Sequence, residues 1–378
     1  MTNPTRRELL GAAAAATAMG LSRKAAAAVT PRPTDVGVED VLMDYEDYHY
    51  RTPIKFGGTE VHRATILNVT CVVRTRDGRT AKGFGSMPMG NVWSFPSKKL
   101  SYDDTLGAMK ALATRHRDIT AGHREPGHPI DVNHDLNPDY LKAAVDATRE
   151  LKLVEPIPPL CTMVVASAFD AAIHDAFGKV HGRSSYQTYG PEFMANDLSA
   201  YLGPDFRGEY VAKYVTERPK GKMPMYHLVG AVDPIVAADV VKPIGDGLPE
   251  TLPEWIAFNG LTNLKIKLNG EDLNWDVDRV VRVDRATVEA QAKRGVSEWV
   301  YSLDFNEKCP DVNYVLEFIA RLKDKAPEAF KRVQYIEQPT ARNLTAAKPH
   351  ALDEAARILP VVADESLTDV ESLIRARD

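Results

Sequence analysis

Four short segments carry ionisable groups whose types could act together: Lys265-Ile266-Lys267, Asp304-Phe305-Asn306, Glu337 and Asp364-Glu365. Each closes an apolar run, and the steps from Lys267 to Asp304, Glu337 and Asp364 are 37, 33 and 27 residues. Three carboxylates with no His or Cys cluster beside them make a hard, all-oxygen donor set, which suits Mg²⁺ or Mn²⁺ better than zinc. Without a cation, their mutual repulsion raises their pKa values and costs stability. A lysine pair beside such a metal supplies what proton abstraction next to a carboxylate needs. The positive field of Lys265 and the cation favours the neutral, basic form of Lys267.

Elements of the right length must hold these groups. Each step matches one βα unit, and in a parallel β/α barrel every strand C-terminus opens on one face, so groups spread over about 100 positions converge on one pocket. Residues two apart on a strand point the same way, which pairs Lys265 with Lys267 and Asp304 with Asn306. The apolar runs predict strands at 223–229, 264–268, 299–303, 333–336 and 360–363. Between them, Asn274 is read as the cap of a helix carrying Val277, Val280 and Val281 that stops near Gly295, and Val312, Val315, Leu316, Ile319 and Leu322 form the stripe of another.

The preceding half has a different texture. Residues 64–75 are β-rich, Asp77-Gly78 supplies a tight turn, and 81–85 return as the second arm of a hairpin. Asn137 followed by Pro138 predicts a helix start, and the helical spacing of Val164, Val165, Ala168, Phe169, Ala172, Ile173, Ala176 and Phe177 predicts a helix over 163–179. Strands followed by helices describe an α+β domain. The fold class expected is therefore α/β, a β/α barrel of about five strands preceded by an α+β domain. The domain reading is an address segment at 1–28, an α+β domain at 40–183, an aromatic-rich inserted connection at 184–221 and a β/α barrel at 222–378.

The address segment rests on Arg6-Arg7, an apolar run over 9–21 and the alanines at 25–28, a twin-arginine export pattern too short for a membrane helix. No later segment is read as apolar enough to span a bilayer, so the mature chain is expected to be soluble outside the cytoplasmic membrane. Lys and Arg number 47 against 52 Asp and Glu, with both signs interspersed, which favours small solutes over nucleic acid or anionic lipid as partners. Cys71, Cys161 and Cys309 lie too far apart for a CxxC module and read as buried small hydrophobes. No GxGxxG opens a helix after a strand, which argues against a dinucleotide enzyme.

Taken in order, the segments Leu264-Lys265-Ile266-Lys267, Ser302-Leu303-Asp304-Phe305-Asn306-Glu307, Tyr335-Ile336-Glu337-Gln338-Pro339 and Val362-Ala363-Asp364-Glu365-Ser366 resemble the enolase superfamily. Within it, they resemble the muconate-lactonizing and dipeptide-epimerase-like branch related to mandelate racemase. The helix with Phe169-Asp170 and Asp175 to Lys179 resembles the end of that family's capping domain, and the likeness covers most of residues 50–378. It implies an α+β capping domain over a modified TIM (β/α) barrel, with an essential Mg²⁺ held by Asp304, Glu337 and an acid after strand five. Spacing leaves Asp364 and Glu365 both open; the resemblance favours Asp364. It further implies Lys267 as base, Lys265 as a group holding the carboxylate or enolate, Asn306 as a pocket residue and Arg51 on a capping loop that contacts substrate.

The implied chemistry removes a proton α to a carboxylate to give an enediolate, as in a racemase or epimerase. A lyase of the same superfamily, dehydratase or cycloisomerase, is the alternative, and a catalytically silent binding protein or inactive truncated product is a third reading. The implied partner is a small carboxylate-bearing substrate, and the family's symmetric oligomers make a homo-oligomer an expectation. The resemblance also places strands six to eight, with the opposing Lys or His acid/base, beyond Asp378. On this reading the chain is a fragment whose open five-stranded barrel exposes sheet edges and tends to aggregate.

Overall fold

The computed structural model describes residues 31–56, 59–216, 218–346 and 351–377. The export signal expected at 1–28 lies outside the described residues. The chain divides into two compact units: one holds the residues up to His49, Arg63–Pro219 and Thr368–Arg377, the other Tyr50–His62 and Lys220–Leu367.

An antiparallel sheet of β1 (Val36–Phe56), β2 (Thr59–Thr75) and β3 (Thr80–Pro88), in that order, opens the chain. The expected hairpin forms: the Gly78 amide donates to Thr75 O at 3.0 Å, with Gly78 at φ +88°, where glycine meets no Cβ penalty. Strand β1 is a finding. Its buried positions change parity between Val38 and Val41, which erases the alternation that announces a half-buried strand.

Three helices pack in the same unit, α1 (Tyr102–Gly122), α2 (Pro129–Glu150) and α3 (Pro159–His181). The helix start expected at Asn137-Pro138 is corrected. Helix α2 begins at Pro129, capped by His128, whose Nδ1 accepts from the Ile130 amide at 3.2 Å, and it carries Pro138 in its interior. His-Pro does there the work read from Asn-Pro nine residues later, since proline is well placed in a first turn whatever residue caps it. Helix α3 corrects a second expectation: by length and composition it is apolar enough to cross a membrane. Its Val165, Phe169 and Ile173 are instead fully buried in the unit's core.

The alanine stripe Ala168, Ala172 and Ala176 of α3 lies directly on Gly83 and Gly85 of β3. A Cβ at Gly83 would sit 2.1 Å from Ala172 O, and one at Gly85 2.0 Å from Ala168 O. Residues 184–219 belong to this unit. They form short 3₁₀ turns that bury Phe193, Met194 and Phe206, and Tyr201 and Asn196 both donate to Asp131 Oδ1, Asn196 at 2.7 Å.

Two imidazoles are sealed in this core. His116 stacks on Tyr140 with ring centroids 3.9 Å apart, and His128 caps α2; burial depresses both to about 3 from an ordinary 6.5. Their folded values lie below the unfolded ones, so their contribution to stability is complete above pH 6.5 and is lost as pH falls from 6.5 toward 3. The expected loss at pH 5 is about 2 kcal/mol per imidazole. Urea unfolding between pH 7.5 and 5 measures it. The difference between wild type and His116→Phe isolates this residue: the wild type should lose about 2 kcal/mol more than the variant between pH 7.5 and 5, and identical pH dependences would contradict the assignment.

The three cysteines are buried, as expected. Burial pushes the Cys71 and Cys161 thiols up to about 12 and raises Cys309 as well.

In the second unit, β4 (Tyr226–Val229), α4 (Leu252–Asn259), β5 (Asn263–Lys267), α5 (Leu273–Arg294), β6 (Val300–Asp304), α6 (Val312–Lys325), β7 (Val333–Glu337) and β8 (Val361–Val362) follow in order. The five strands pair in chain order, and every pair is parallel. The chain continues into a short helix, α7 (Val370–Arg377), which belongs to the first unit. The fold class is the expected one, α/β, with an α+β unit followed in the chain by a parallel five-stranded sheet. The cap of α5 is Asp272 rather than Asn274: its carboxylate accepts from the Asn274 and Trp275 amides at 3.0 and 3.1 Å, leaving Asn274 inside the first turn. Gly295 ends α5 at φ +68°.

Leu264, Ile266, Tyr301, Leu303 and Ile336 turn toward the helices and share a core with Val280, Val283, Val315, Phe318 and Leu322. The sheet also curls. Tyr226 of β4 and Tyr335 of β7, with two strands between them, bring their rings to 6.1 Å, and the Tyr226 hydroxyl donates to Gln334 Oε1. Such curvature turns the other face of β5, β6 and β7 inward.

Candidate active site

The C-terminal ends of three strands stand in register, Lys267 beside Asp304 and Asp304 beside Glu337, with Glu337 beside Val362 of β8. The alternation that sends Ile266 and Leu303 to the helices sends Lys265, Lys267 and Asp304 to the inner face. There Lys267 Nζ donates to Asp304 Oδ2 and, at 2.9 Å, to Asn306 Oδ1. Lys265 Nζ donates to Glu337 Oε1 and lies 3.0 Å from Asp304 Oδ2. Asn306 is fixed in turn, its amide donating to Asp304 Oδ1 at 2.8 Å and its Nδ2 to Leu268 O at 3.2 Å. Five residues read from sequence thus form one network.

Burial works against charge here, and pairing decides each outcome. Asp304, 2% exposed, is penalised by burial yet held below the usual carboxylate range by the two lysines. For Lys265, burial alone would depress the ammonium, but Asp304 and Glu337 outweigh it and raise its pKa. Glu337 is raised by burial and the Asp304 charge, against the pull of Lys265. The positive field expected around Lys267 is replaced in this arrangement by contact with an anionic carboxylate.

Asp364 and Glu365 diverge after β8. Asp364 lies at the exposed side, raised by partial enclosure and by Asp304 while Lys265 and Lys267 draw it down, and its own charge acts on Glu337. Glu365 is buried and pushed up to about 7 by burial, Glu307 and Asp364. Asp364 is thus the acid whose charge reaches both lysines.

Among the described residues, no three His, Cys, Asp or Glu side chains are gathered tightly enough to constitute a metal cluster. The Lys265 ammonium stands between Asp304 and Glu337, where it supplies positive charge. The donor chemistry nonetheless fits a hard divalent cation. It is oxygen only, and Glu337 and Asp364 are raised first by burial and then by the Asp304 charge, a penalty on their anionic forms that such an ion relieves.

Arg51 lies elsewhere in the second unit. Its guanidinium is bound by Asp246, with Nη2 2.7 Å from Oδ1, and by the carbonyls of Pro249 and Leu248 at 2.9 and 3.2 Å. It lines a cavity of about 310 Å³ with Tyr50, His227 and Trp255, to which none of the network residues contributes.

Several residues at the site went unread as functional. Gln338 is buried at φ +31° and bonded to both neighbouring strand ends; Glu307, at φ +64°, binds the Arg342 side chain through two nitrogens at 2.6 and 2.7 Å. Ser302, in register with Lys265 and Tyr335, buries a hydroxyl that makes no hydrogen bond among the described residues. With Asn306, three of the four described non-glycine residues at positive φ cluster at these strand ends, where local strain commonly marks function.

Asp304 is the anion shared by both lysines. Asp304→Asn leaves buried Lys267 without its countercharge and should destabilise the second unit by about 3–5 kcal/mol. Adding Lys267→Met should recover a large part of this in a double-mutant cycle followed by urea unfolding without added metal. Unchanged stability of the single variant would show that the ion pair contributes nothing.

Fold and site together define a class: a unit of antiparallel sheet and helices joined in one chain to a parallel β/α sheet with acids and lysines at its strand ends. The fold is one that the chain shares with solved structures of low sequence identity. Solved structures similar to the chain include a dipeptide epimerase from Enterococcus faecalis V583 complexed with Mg and the dipeptide L-Leu-L-Tyr. It is 15% identical, with 89% of this chain and 70% of that one covered, at a TM-score of 0.52. An enolase from Bradyrhizobium complexed with magnesium and mandelic acid is 18% identical over 90% of this chain and 72% of that one, also at 0.52. A mandelate racemase/muconate lactonizing protein from Herpetosiphon aurantiacus is 16% identical, covering 91% and 71%, at 0.51. No family model matches the chain, and no curated protein does.

Proposed function

We propose that this site abstracts the α-proton of a small carboxylate-bearing substrate with the help of a divalent metal, and that the reaction is a racemisation or epimerisation. The observation that carries the reading is the convergence of Lys265 and Lys267 on Asp304 and Glu337 from three adjacent strands. Lys267, the more buried lysine, is the base, and Asn306 holds its ammonium at 2.9 Å on a fixed line. Lys265, the more accessible of the two, faces the carboxylate of the substrate and stabilises the enediolate formed when the α-proton leaves. Asp304, Glu337 and Asp364 would hold Mg²⁺ or Mn²⁺, which would supply positive charge to offset the negative charge developing on the substrate carboxylate. Arginine-directed export, which would place the protein outside the cytoplasmic membrane, completes the proposal.

The fold shared with proteins complexed with magnesium and with a dipeptide or mandelic acid supports this choice of substrate class. The test is exchange of the α-hydrogen for deuterium in D₂O, followed by NMR over dipeptides and 2-hydroxy acids with Mg²⁺. Exchange that requires the metal and stops with a chelator is the expected result. No exchange on any α-substituted carboxylate, or exchange indifferent to the chelator, would end the reading.

A further inference from the structure

The structure assigns Gln338 a positioning role: its side-chain amide clamps the end of β8 so that Asp364 is presented to the same site as Asp304 and Glu337. This rests on the metal reading above but concerns a residue outside the proposed donor set, whose side chain bonds only to Thr340, Asp364 and Ser366 among the described residues. Gln338 is 4% exposed. Its Oε1 accepts from the Asp364 amide at 2.9 Å, the Ser366 hydroxyl at 2.6 Å and the Ser366 amide at 3.4 Å. Its Nε2 donates to Thr340 O at 3.0 Å, which fixes which end of the amide faces β8. The main chain of the same residue ties both neighbours: Gln338 N donates to Val362 O at 2.8 Å, and Gln338 O accepts from the Glu307 amide at 3.0 Å.

One residue thus joins the ends of β6, β7 and β8, and its geometry explains its backbone. At φ +31° it occupies a region that a non-glycine residue rarely adopts, a strain that persists only where surrounding bonds determine the conformation. The need it meets is specific. Strand β8 is only two residues long, too short for its ladder to define where the following residues go. Asp364 lies beyond that ladder, and without the Gln338 oxygen its amide and that of Ser366 have no strand to direct them.

Acceptance by Oε1 is therefore what places the third acid. Gln338→Met keeps length and burial but removes both acceptor and donor. Gln338→Glu keeps the acceptor that holds Asp364 and Ser366, exchanges the donation to Thr340 for a second acceptor and adds a negative charge. The experiment has two arms on the full chain. In the metal-free arm, hydrogen exchange at the 364–366 amides should accelerate at least about tenfold in Gln338→Met and stay near wild type in Gln338→Glu. In the second arm, Mn²⁺ alone is titrated and free ion read by electron paramagnetic resonance; affinity should fall about 10–100-fold in Gln338→Met and be retained in Gln338→Glu. Unchanged amide protection in Gln338→Met, or equal Mn²⁺ affinity in Gln338→Met and wild type, overturns the assignment. Equal losses in both variants, tracking a common drop in thermal midpoint, overturn it too, since that is the mark of a merely structural residue. A wild-type chain that binds no Mn²⁺ while the amide effect stands overturns the metal reading instead.

Discussion

Lys267→Ala should lower the rate of α-deuterium exchange by about 10²–10⁴-fold, the span typical of losing a positioned general base. The loss should fall on kcat, because Lys265 and the carboxylates that engage substrate remain. Stability should change little. Asp304 keeps the Lys265 ammonium 3.0 Å away and the Asn306 amide at 2.8 Å, so no buried carboxylate is stranded by the truncation. That separates this variant from Asp304→Asn, where folding itself should suffer. Lys267→Arg restores the charge beside Asp304 but offers a guanidinium that cannot serve as a base, and it should be as slow as the alanine variant. Exchange that persists at the wild-type rate in Lys267→Ala would assign the base to another group.

The largest effect on folding is expected far from any charge. Gly83→Ala places a methyl group 2.1 Å from Ala172 O and 2.3 Å from Ala176 N, and Gly85→Ala places one 2.0 Å from Ala168 O and 2.7 Å from Ala172 N. All of these are backbone atoms of α3, so no side chain can swing away. The helix must lift off the sheet or the sheet must bend. Either should cost more than about 4 kcal/mol, the range reserved for gross steric conflict, and the double variant should not fold its first unit. Gly107→Ala is the control: nothing lies within 4 Å of its added Cβ, and in the interior of α1 the change should stabilise by about 1 kcal/mol. Circular-dichroism melts of the three single variants distinguish these outcomes, and a wild-type midpoint for Gly83→Ala would contradict the packing described.

Much of the site was legible because strand chemistry is local. An apolar run ending in Lys, Asp or Glu, repeated at one βα interval, is visible without coordinates, and the register of Lys267, Asp304 and Glu337 follows from it. The partners of Arg51 were not legible, since Asp246 lies 195 residues away with no periodic relation to it. Nor was the role of Gln338. Its identity gives no hint of φ +31° or of three hydrogen bonds that exist only once β8 has docked. Strand β1 was hidden by its change of parity, and the start of α2 by a proline in its interior that looked like a beginning. The misread features depend on tertiary context or on an uncommon residue doing a common job.

The sealed thiols have a practical side. Cys71, Cys161 and Cys309 are enclosed and hold their protons tightly, so alkylating reagents find almost no thiolate on the native fold. A single cysteine engineered onto the surface would then be the one fast-reacting handle. A fluorophore or spin label could be attached there without first stripping the molecule of its own sulfur.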